Sequence, residues 1–483
     1  MRSNTALIDH PLVVDLDGTL IRTDLLVECA SKFLIRHPFA FFQLAVWLSR
    51  GKVTLKSELA RRIEFDVCAL PYNLDVLDWL RSEKLRGRHL VLATASHRIL
   101  ADQVAAHLNL FDEVLATDDG CNLAASAKAE ALIARFGEYG YDYVGNDWPD
   151  LEVWAKSQTS HVVDVSGELL AQTQALGPVG RVFSSQRKPL VQTLIQAMRV
   201  HQWMKNLLVF VPLMAAHQYL DSQRDIYSVL AFVIFSLTAS SVYLLNDLAD
   251  VQDDRLHVRK CNRPFANGSL SLIIGWFAWP SLLLMSALLS LSLMPALFSF
   301  CLLVYFLLTV SYSLHLKQLA VVDVLTLAAL YTLRIIAGAA AIDVSVSFWL
   351  LLFSMFVFLS LALIKRYSEL LVARGAGKTG ALRGRGYEPE DLALVSSLGG
   401  SSGFIAVLVL ALYIQDGQAA HLYATPQIIW LACPALLFWI SRAWLIAHRG
   451  RMHDDPIVFA LKDRVSWGIG VFMVAVFVLA RIL

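Results

Sequence analysis

VYLLNDLADVQDDRLHVRKCNRP, residues 242–264, joins an apolar run fit for a membrane span to a cluster of carboxylates, and the carboxylates to Arg255, His257, Arg259, Lys260 and Arg263. Asp247, Asp250 and Asp254 stand at i, i+3 and i+7. On a helix they share one face, within a sector of roughly 60°, and Asp253 points away from it. Carboxylates stacked so closely repel one another, so a positive charge has to sit among them. Mg²⁺ suits that position: it takes one or two carboxylates and completes its shell with phosphate oxygens. An acidic loop that merely capped a span would need neither the shared face nor the basic tail. A diphosphate held by metal on one side and by Arg and Lys on the other needs both signs together.

The surrounding chain has 483 residues, 57% hydrophobic and 17% charged, a composition richer in apolar residues than a soluble domain requires. The lipid bilayer is therefore the expected solvent for much of it. A formal net charge of +1 gives no sign of a polyanionic partner, and no nucleic acid is expected. The six cysteines, at 29, 68, 121, 261, 301 and 433, show neither CxxC nor metal-ligand spacing and read as reduced and structural. The N-terminal MRSNTALIDHPLVVDLDGTL lacks a basic segment followed by a long apolar core, so no cleaved signal peptide is expected and the N-terminus should stay in the cytosol.

Two solvents divide the chain. Residues 1–165 read as α/β: PLVVDL, HLVLATA, EVLATD, YDYVGN and HVVDV alternate with helical periodicity, as in a parallel sheet covered on both faces. The excess between the first two runs, about 22–86, should be a helical cap. Its PFAFFQLAVWL is too short to span a bilayer, and is either cap core or a surface resting on the membrane. Residues 166–190 read as a linker. Beyond it lie about nine apolar segments, near 206–220, 227–246, 270–290, 294–313, 319–340, 346–364, 395–414, 426–441 and 466–483; Pro280 implies a kink or a misplaced boundary. Basic residues crowd the connections after the second, fourth, sixth and eighth segments, Lys378 and Arg383 among them, whereas the others hold only Arg224. The positive-inside rule makes the rich set cytosolic, with the N-terminal domain inside and the C-terminus outside, in an inner (cytoplasmic) membrane.

Asn246, Asp247, Asp250 and Asp254 form NDxxDxxxD, followed by Arg263-Pro264. Over about 190–483 the chain resembles the UbiA superfamily of membrane prenyltransferases, which implies an all-α domain of nine spans, an intramembrane cavity and Mg²⁺ holding a diphosphate. Three further stretches resemble its polyprenyl-phosphate phosphoribosyltransferase branch: RVHQWMKN with Arg199, Trp203 and Lys205, YSLHLKQLAVVDVLTLAALYTLRIIAGA with Tyr312, Lys317, Asp323 and Arg334, and LIKRYSEL with Lys365 and Arg366. The resemblance implies that Asp247, Asp250 and Asp254 carry the Mg²⁺-diphosphate of phosphoribosyl diphosphate. Asn246, Arg255, Arg263 and the basic and polar residues of those stretches would bind substrate, with polyprenyl phosphate as acceptor. Lys205, Lys365 and Arg366 also suit plain interfacial anchors, as does Trp203. Asp323 and Arg334 fall inside an apolar span, where ionisable residues line cavities or pair, but eleven residues on one straight helix keep these two apart.

In the N-terminal half, Asp15 and Asp17 of DLDGT, Thr94 ending LVLAT, Lys128 in ASAKAEAL and Asp150 in YVGNDWPD follow in the order of the haloacid dehalogenase (HAD) superfamily. The resemblance implies a Rossmann-like phosphatase. Asp15 would be its nucleophile, Asp17 its acid and base, and Thr94 and Lys128 its phosphoryl holders, with Ser96 an alternative to Thr94. Asp15, Asp17 through its carbonyl, Asn146 and Asp150 would hold Mg²⁺. Asn146 stands where the family often has an acid, which puts activity in question. Together the halves imply phosphoribosyl transfer followed by removal of the 5-phosphate. The alternatives are a prenyltransferase using prenyl diphosphate and a small acceptor, and a transporter or scaffold with a regulatory phosphate-binding domain. Carboxylates at a span end, rather than at the bilayer midplane, count against transport.

Overall fold

The computed structural model describes residues 10–118, 122–185, 188–377, 380–381, 385–416, 422–452 and 456–483, so Cys121, Lys378 and Arg383 lie outside the described residues. The chain divides into two compact units, one of residues 1–198 with 243–279 and one of 199–242 with 280–483.

The first unit is built on a six-stranded parallel sheet in the order β3-β2-β1-β4-β5-β6. Its elements are β1 (Leu12–Val14), α1 (Leu25–Arg36), α2 (Phe41–Ser49), α3 (Lys52–Arg62), α4 (Leu74–Leu85), β2 (Leu90–His97), α5 (Arg98–Leu108), β3 (Glu113–Thr117), α6 (Ser126–Phe136), β4 (Asp142–Gly145), α7 (Leu151–Trp154), β5 (Ser160–Val163), α8 (Gly167–Leu176) and β6 (Val179–Phe183). Alternate residues of the central strands serve two cores. Leu12, Val14, Leu90 and Leu92 face one with Leu100 and Val104, and Val13, Val91 and Ala93 face the other with Leu132 and Trp154. Both faces are thus covered, which is why these strands read as unbroken apolar runs.

Two boundaries differ from the expectation. The stretch 166–190 is not a plain linker, because it holds α8 and β6, whose Val179, Val182 and Phe183 pair with β5. As a largely exposed edge strand, VGRVF carries polar and small residues and lacks the apolar signature of the others. Within 22–86, α4 belongs to the sheet rather than the cap: Trp79 packs on His161 and Phe183, at ring-centroid distances of 4.7 and 5.3 Å. A parallel connection needs a helix that returns the chain to the sheet, and α4 is that helix.

Among the described residues eight helices are long and apolar enough to cross a membrane: Ser222–Ala249, Leu272–Leu293, Ala296–Leu314, Val322–Ala341, Phe348–Gly375, Pro389–Gln415, Pro426–His448 and Arg464–Ile482. The ninth expected segment, 206–220, is interrupted: a 3₁₀ run Val200–Phe210 is followed by a short α-helix Val211–Ala215 and then His217 at φ 55°. Pro212 has no N–H for Leu208, so an α-helix cannot run unbroken through this segment. Pro280, by contrast, lies inside one continuous 22-residue helix.

Candidate functional site

The C-terminal ends of β1, β2 and β4 bring the phosphatase-like residues together. Asp15 accepts a hydrogen bond from Lys128 Nζ at 2.6 Å, and Lys128 also reaches the Tyr143 hydroxyl at 3.0 Å. Tyr143 donates to Asp150 Oδ1 at 2.7 Å, and Asp150 Oδ2 accepts the backbone N–H groups of Asn146 and Asp147 at 2.9 and 3.1 Å. Asp17 accepts from the N–H of Leu25 at 2.9 Å, from Ser96 Oγ at 2.6 Å and from Thr94 Oγ1 at 3.5 Å. Thr19 donates to Asn146 Oδ1 at 2.9 Å. Gly18 has φ 76°, and a Cβ there would lie 2.3 Å from Asn146 Nδ2, so only glycine lets the DLDGT turn pass. From the cap, Lys56 on α3 donates to Ala95 O at 2.6 Å and Asn122 Oδ1 at 3.0 Å, which puts an ammonium beside Ser96.

Burial pushes the Asp15 carboxyl up to about 6 against the pull of Lys128, and burial together with the Asp24 and Asp15 charges pushes Asp17 up to about 7. Lys128, though buried, is held above its ordinary value by Asp15 and Asp150 and stays charged. A nucleophile ionised near neutrality beside an acid still protonated there suits two-step phosphoryl transfer. Thr19, Tyr143 and Lys56 were missed in the sequence. Only Thr19, in the DLDGT turn itself, carried a signal.

The second constellation in this unit is the turn after Ser222–Ala249. Asp250.. Asp254 backbone bonding continues the helical pattern, since Asp250 N–H bonds to Asn246 O and Asp254 N–H to Asp250 O. Asp247 and Asp254 are buried and share one nitrogen, Arg263 Nη1, at 3.1 and 2.5 Å, while Asn246 donates to Asp250 at 3.2 Å and Asp253 is exposed. Arg263 thus supplies the positive charge that the stacked carboxylates require. Asp254 Oδ1 is buried without a hydrogen bond, and burial raises its carboxyl. Arg255, expected to face substrate, instead forms a buried bidentate pair with Glu28 of α1, at 2.6 and 3.2 Å, and donates to Ala266 O. The reason is local: Glu28 is buried in α1, and Arg255 is the cation paired with it among the described residues. Lys32 bonds to Gln252, Trp276 Nε1 donates to Ser31, and Gly268 at φ 74° lies so close to Arg22 that a Cβ would fall 2.7 Å from it. The carboxylate turn and the phosphatase-like domain are one packed body.

In the other unit, Asp323 pairs with Arg366 and accepts from Tyr387, and Arg366 also pairs with Glu369 and donates to Tyr312. Arg385, 4.0 Å from Glu369 and donating to Tyr312, brings the network to two cations and two carboxylates. Arg334 is different. It is 4% exposed, bonded to Asn206 Oδ1, Leu330 O and Tyr305 OH, and enclosed by the rings of Phe235, Tyr305 and Tyr331, with no carboxylate paired to it among the described residues. Trp203 donates to Ser240, Lys205 lies 3.5 Å from Gln202, and Arg199 sits at φ 52° at the start of the 3₁₀ run. Lys317, in a 3₁₀ turn, and Lys365 are half-buried.

Among the described residues no three His, Cys, Asp or Glu side chains converge as a ready metal-ligand set. The donor chemistry nevertheless fits a hard dication at both places. Asp15 and Asp150, joined by Asn146, outnumber the one ammonium among them, and Asp254 Oδ1, beside Asp247, is a buried acceptor without a hydrogen bond, its ion-pair contact being Lys260 Nζ at 3.8 Å.

An α/β domain carrying a phosphatase-type site, joined to a bundle of apolar spans whose first long helix ends in a carboxylate turn, defines a multi-pass membrane enzyme of the transferase type. Residues 207–466 match the UbiA prenyltransferase family and residues 12–144 match the haloacid dehalogenase-like hydrolases. The chain belongs to the UbiA prenyltransferase family. It is 34% identical to the uncharacterized protein y4nM of Sinorhizobium fredii, over 97% of this chain and 91% of that protein. It is 38% identical to nodulation protein NoeC of Azorhizobium caulinodans, over 57% and 88%, and 32% identical to the decaprenyl-phosphate phosphoribosyltransferase of Mycolicibacterium smegmatis, over 58% and 89%.

Proposed function

We propose that the membrane domain transfers 5-phosphoribose from phosphoribosyl diphosphate to a polyprenyl phosphate, and that the N-terminal domain removes the 5-phosphate to leave polyprenylphosphoryl ribose. The observation that carries this reading is the union, in one compact unit, of the NDxxDxxxD turn with a phosphatase-like site in which Asp15, Asp17, Lys128 and Asp150 are all in place. The similarity to decaprenyl-phosphate phosphoribosyltransferases supports the donor and acceptor. Arg334, a buried cation with no carboxylate paired to it among the described residues, supports binding of an anion within the membrane domain.

In the transfer, an acceptor phosphate oxygen bonds to the anomeric carbon as the diphosphate departs. The acceptor is already anionic and needs little help from a base. Exclusion of water by the apolar helices favours transfer over hydrolysis. In the second step Asp15 attacks phosphorus, Asp17 protonates the leaving 5-oxygen and then takes a proton from the water that cleaves the aspartyl phosphate, and Lys128 and Thr94 hold phosphoryl oxygens. Asp247, Asp250 and Asp254 in one site, and Asp15, Asn146, Asp150 and the Asp17 carbonyl in the other, would hold Mg²⁺, which when bound supplies charge neutralisation at the phosphate oxygens.

The positive-inside rule, applied to the basic connections, supports a cytosolic position at the inner membrane for the 250–271 turn and, with it, the N-terminal domain. Since Ser222–Ala249 ends in that turn, the interrupted segment 199–221 has to carry the chain across beforehand. The test supplies membranes with labelled phosphoribosyl diphosphate or labelled prenyl diphosphate. Incorporation of the sugar label into lipid, abolished by Asp250→Asn, is expected. Incorporation of the prenyl label alone would replace this reading with prenyl transfer to a small acceptor.

A further inference from the structure

We infer that the cap of the phosphatase-like domain is seated in the lipid bilayer through the segment Pro38–Ser49, an interfacial anchor that does not span. PFAFFQLAVWLS forms a 3₁₀ turn, Pro38–Ala40, and then α2. Only Trp47 of its large apolar residues is buried, against Phe33 at 5.3 Å and under Arg62 at 5.0 Å. Phe39, Phe41, Phe42, Val46 and Leu48 are 89, 51, 67, 47 and 51% exposed. Trp47, with Leu44 and Ala40 packed beside it on the cap's core, ties α2 to the cap and leaves Phe39, Phe41, Phe42, Val46 and Leu48 turned outward. Five large side chains within ten residues make a patch that a water-facing surface does not keep without an occupant.

Three observations identify the occupant as lipid. First, the segment is continuous with elements that must lie at the membrane surface. α1, which leads into it, is tied by Glu28, Ser31 and Lys32 to Arg255, Trp276 and Gln252, and Trp276 stands in the first turns of the span Leu272–Leu293. Second, the charge is complementary to a headgroup layer: between Glu28 and Glu58 there is no acid, and Lys32, Arg36, Arg50, Lys52 and Lys56 are the only charged residues. Third, aromatic and aliphatic residues flanked by Arg and Lys on a helix too short to cross are the composition of a helix lying in the interface plane. The consequence concerns the site. α3 follows α2 after Arg50 and Gly51, and its Lys56 reaches the phosphatase-like pocket beside Ser96. Lipid that holds α2 thereby fixes the helix that walls the pocket, and turns the pocket toward phosphates carried at the membrane surface.

The test uses the full chain in nanodiscs of phosphatidylethanolamine and phosphatidylglycerol, with Cys68, Cys121 and Cys261 replaced by Ser and a nitroxide placed in turn at Phe39→Cys, Phe42→Cys, Val46→Cys and, as an exposed control, Glu152→Cys. Collision rates with oxygen, which partitions into lipid, are compared with those of a water-soluble nickel chelate. The ratio of oxygen to nickel collisions at 39, 42 and 46 is expected to exceed that at 152 by about tenfold, the contrast between acyl chains and water. A ratio at 42 equal to that at 152 would overturn the inference. So would shielding from both reagents accompanied by spin–spin coupling between chains, which would assign the face to a second copy.

Discussion

Removing the Glu28 carboxylate is the most searching perturbation of the joint between the phosphatase-like domain and the carboxylate turn. Glu28 and Arg255 have side-chain exposures of 1 and 5% and form two hydrogen bonds, at 2.6 and 3.2 Å. In Glu28→Ala the guanidinium is left buried without its counter-charge, a change that costs about 3–5 kcal/mol. The donors that stay, Lys32 to Gln252 and Trp276 to Ser31, each contribute about 1 kcal/mol and do not offset it. At about 1.4 kcal/mol per decade, amide protection in peptides covering 25–36 and 251–271 should fall by about two to four decades. Hydrogen–deuterium exchange of the full chain in detergent or nanodiscs reads this directly, with peptides of β4 and β5 as the unaffected reference. The double variant Glu28→Leu/Arg255→Met, which buries no lone charge, should recover at least half of the lost protection. A change of less than tenfold in Glu28→Ala would refute the claim that this pair locks the two parts together.

Tyr143→Phe removes the hydroxyl between Lys128 and Asp150, and phosphatase turnover should fall about tenfold with the fold intact, as read by a phosphate-release assay. The Ser96 hydrogen bond lowers the Asp17 carboxyl, so Ser96→Ala should raise it further. Because the protonated acid serves the leaving group, activity declines as pH rises past about 7 in the wild type, and this limb should move to higher pH in the variant, as measured by a pH–rate profile. Arg334→Met keeps the volume but deletes the buried cation, and transfer to lipid should fall by about a hundredfold or more with unchanged phosphatase activity on a soluble phosphomonoester.

The sequence displayed the two cores and most of the apolar spans because their signals are local: apolar runs of strand length and of membrane thickness survive any reading frame. The shared face of Asp247 and Asp254 was legible for the same reason, since helical spacing alone fixes it. What escaped depends on partners distant in the chain. β6 hid because an exposed edge strand carries Gly180 and Arg181 in place of apolar residues. The first apolar segment is broken rather than one long helix because Pro212 interrupts it. Arg255 read as a substrate ligand from its place among other bases, yet it is claimed by Glu28, more than two hundred residues earlier. Arg334 and Asp323 both stood out inside an apolar span, but their partners, Asn206 and Arg366, come from other elements.

The coupled function is tested most directly by the product that accumulates when the phosphatase-like nucleophile is removed. Membranes containing wild type or Asp15→Asn receive labelled phosphoribosyl diphosphate and a polyprenyl phosphate, and the lipids are resolved by chromatography. Wild type is expected to yield polyprenylphosphoryl ribose and Asp15→Asn to accumulate the 5-phosphorylated lipid at an undiminished rate of transfer. The same phosphorylated lipid from both proteins would contradict the account.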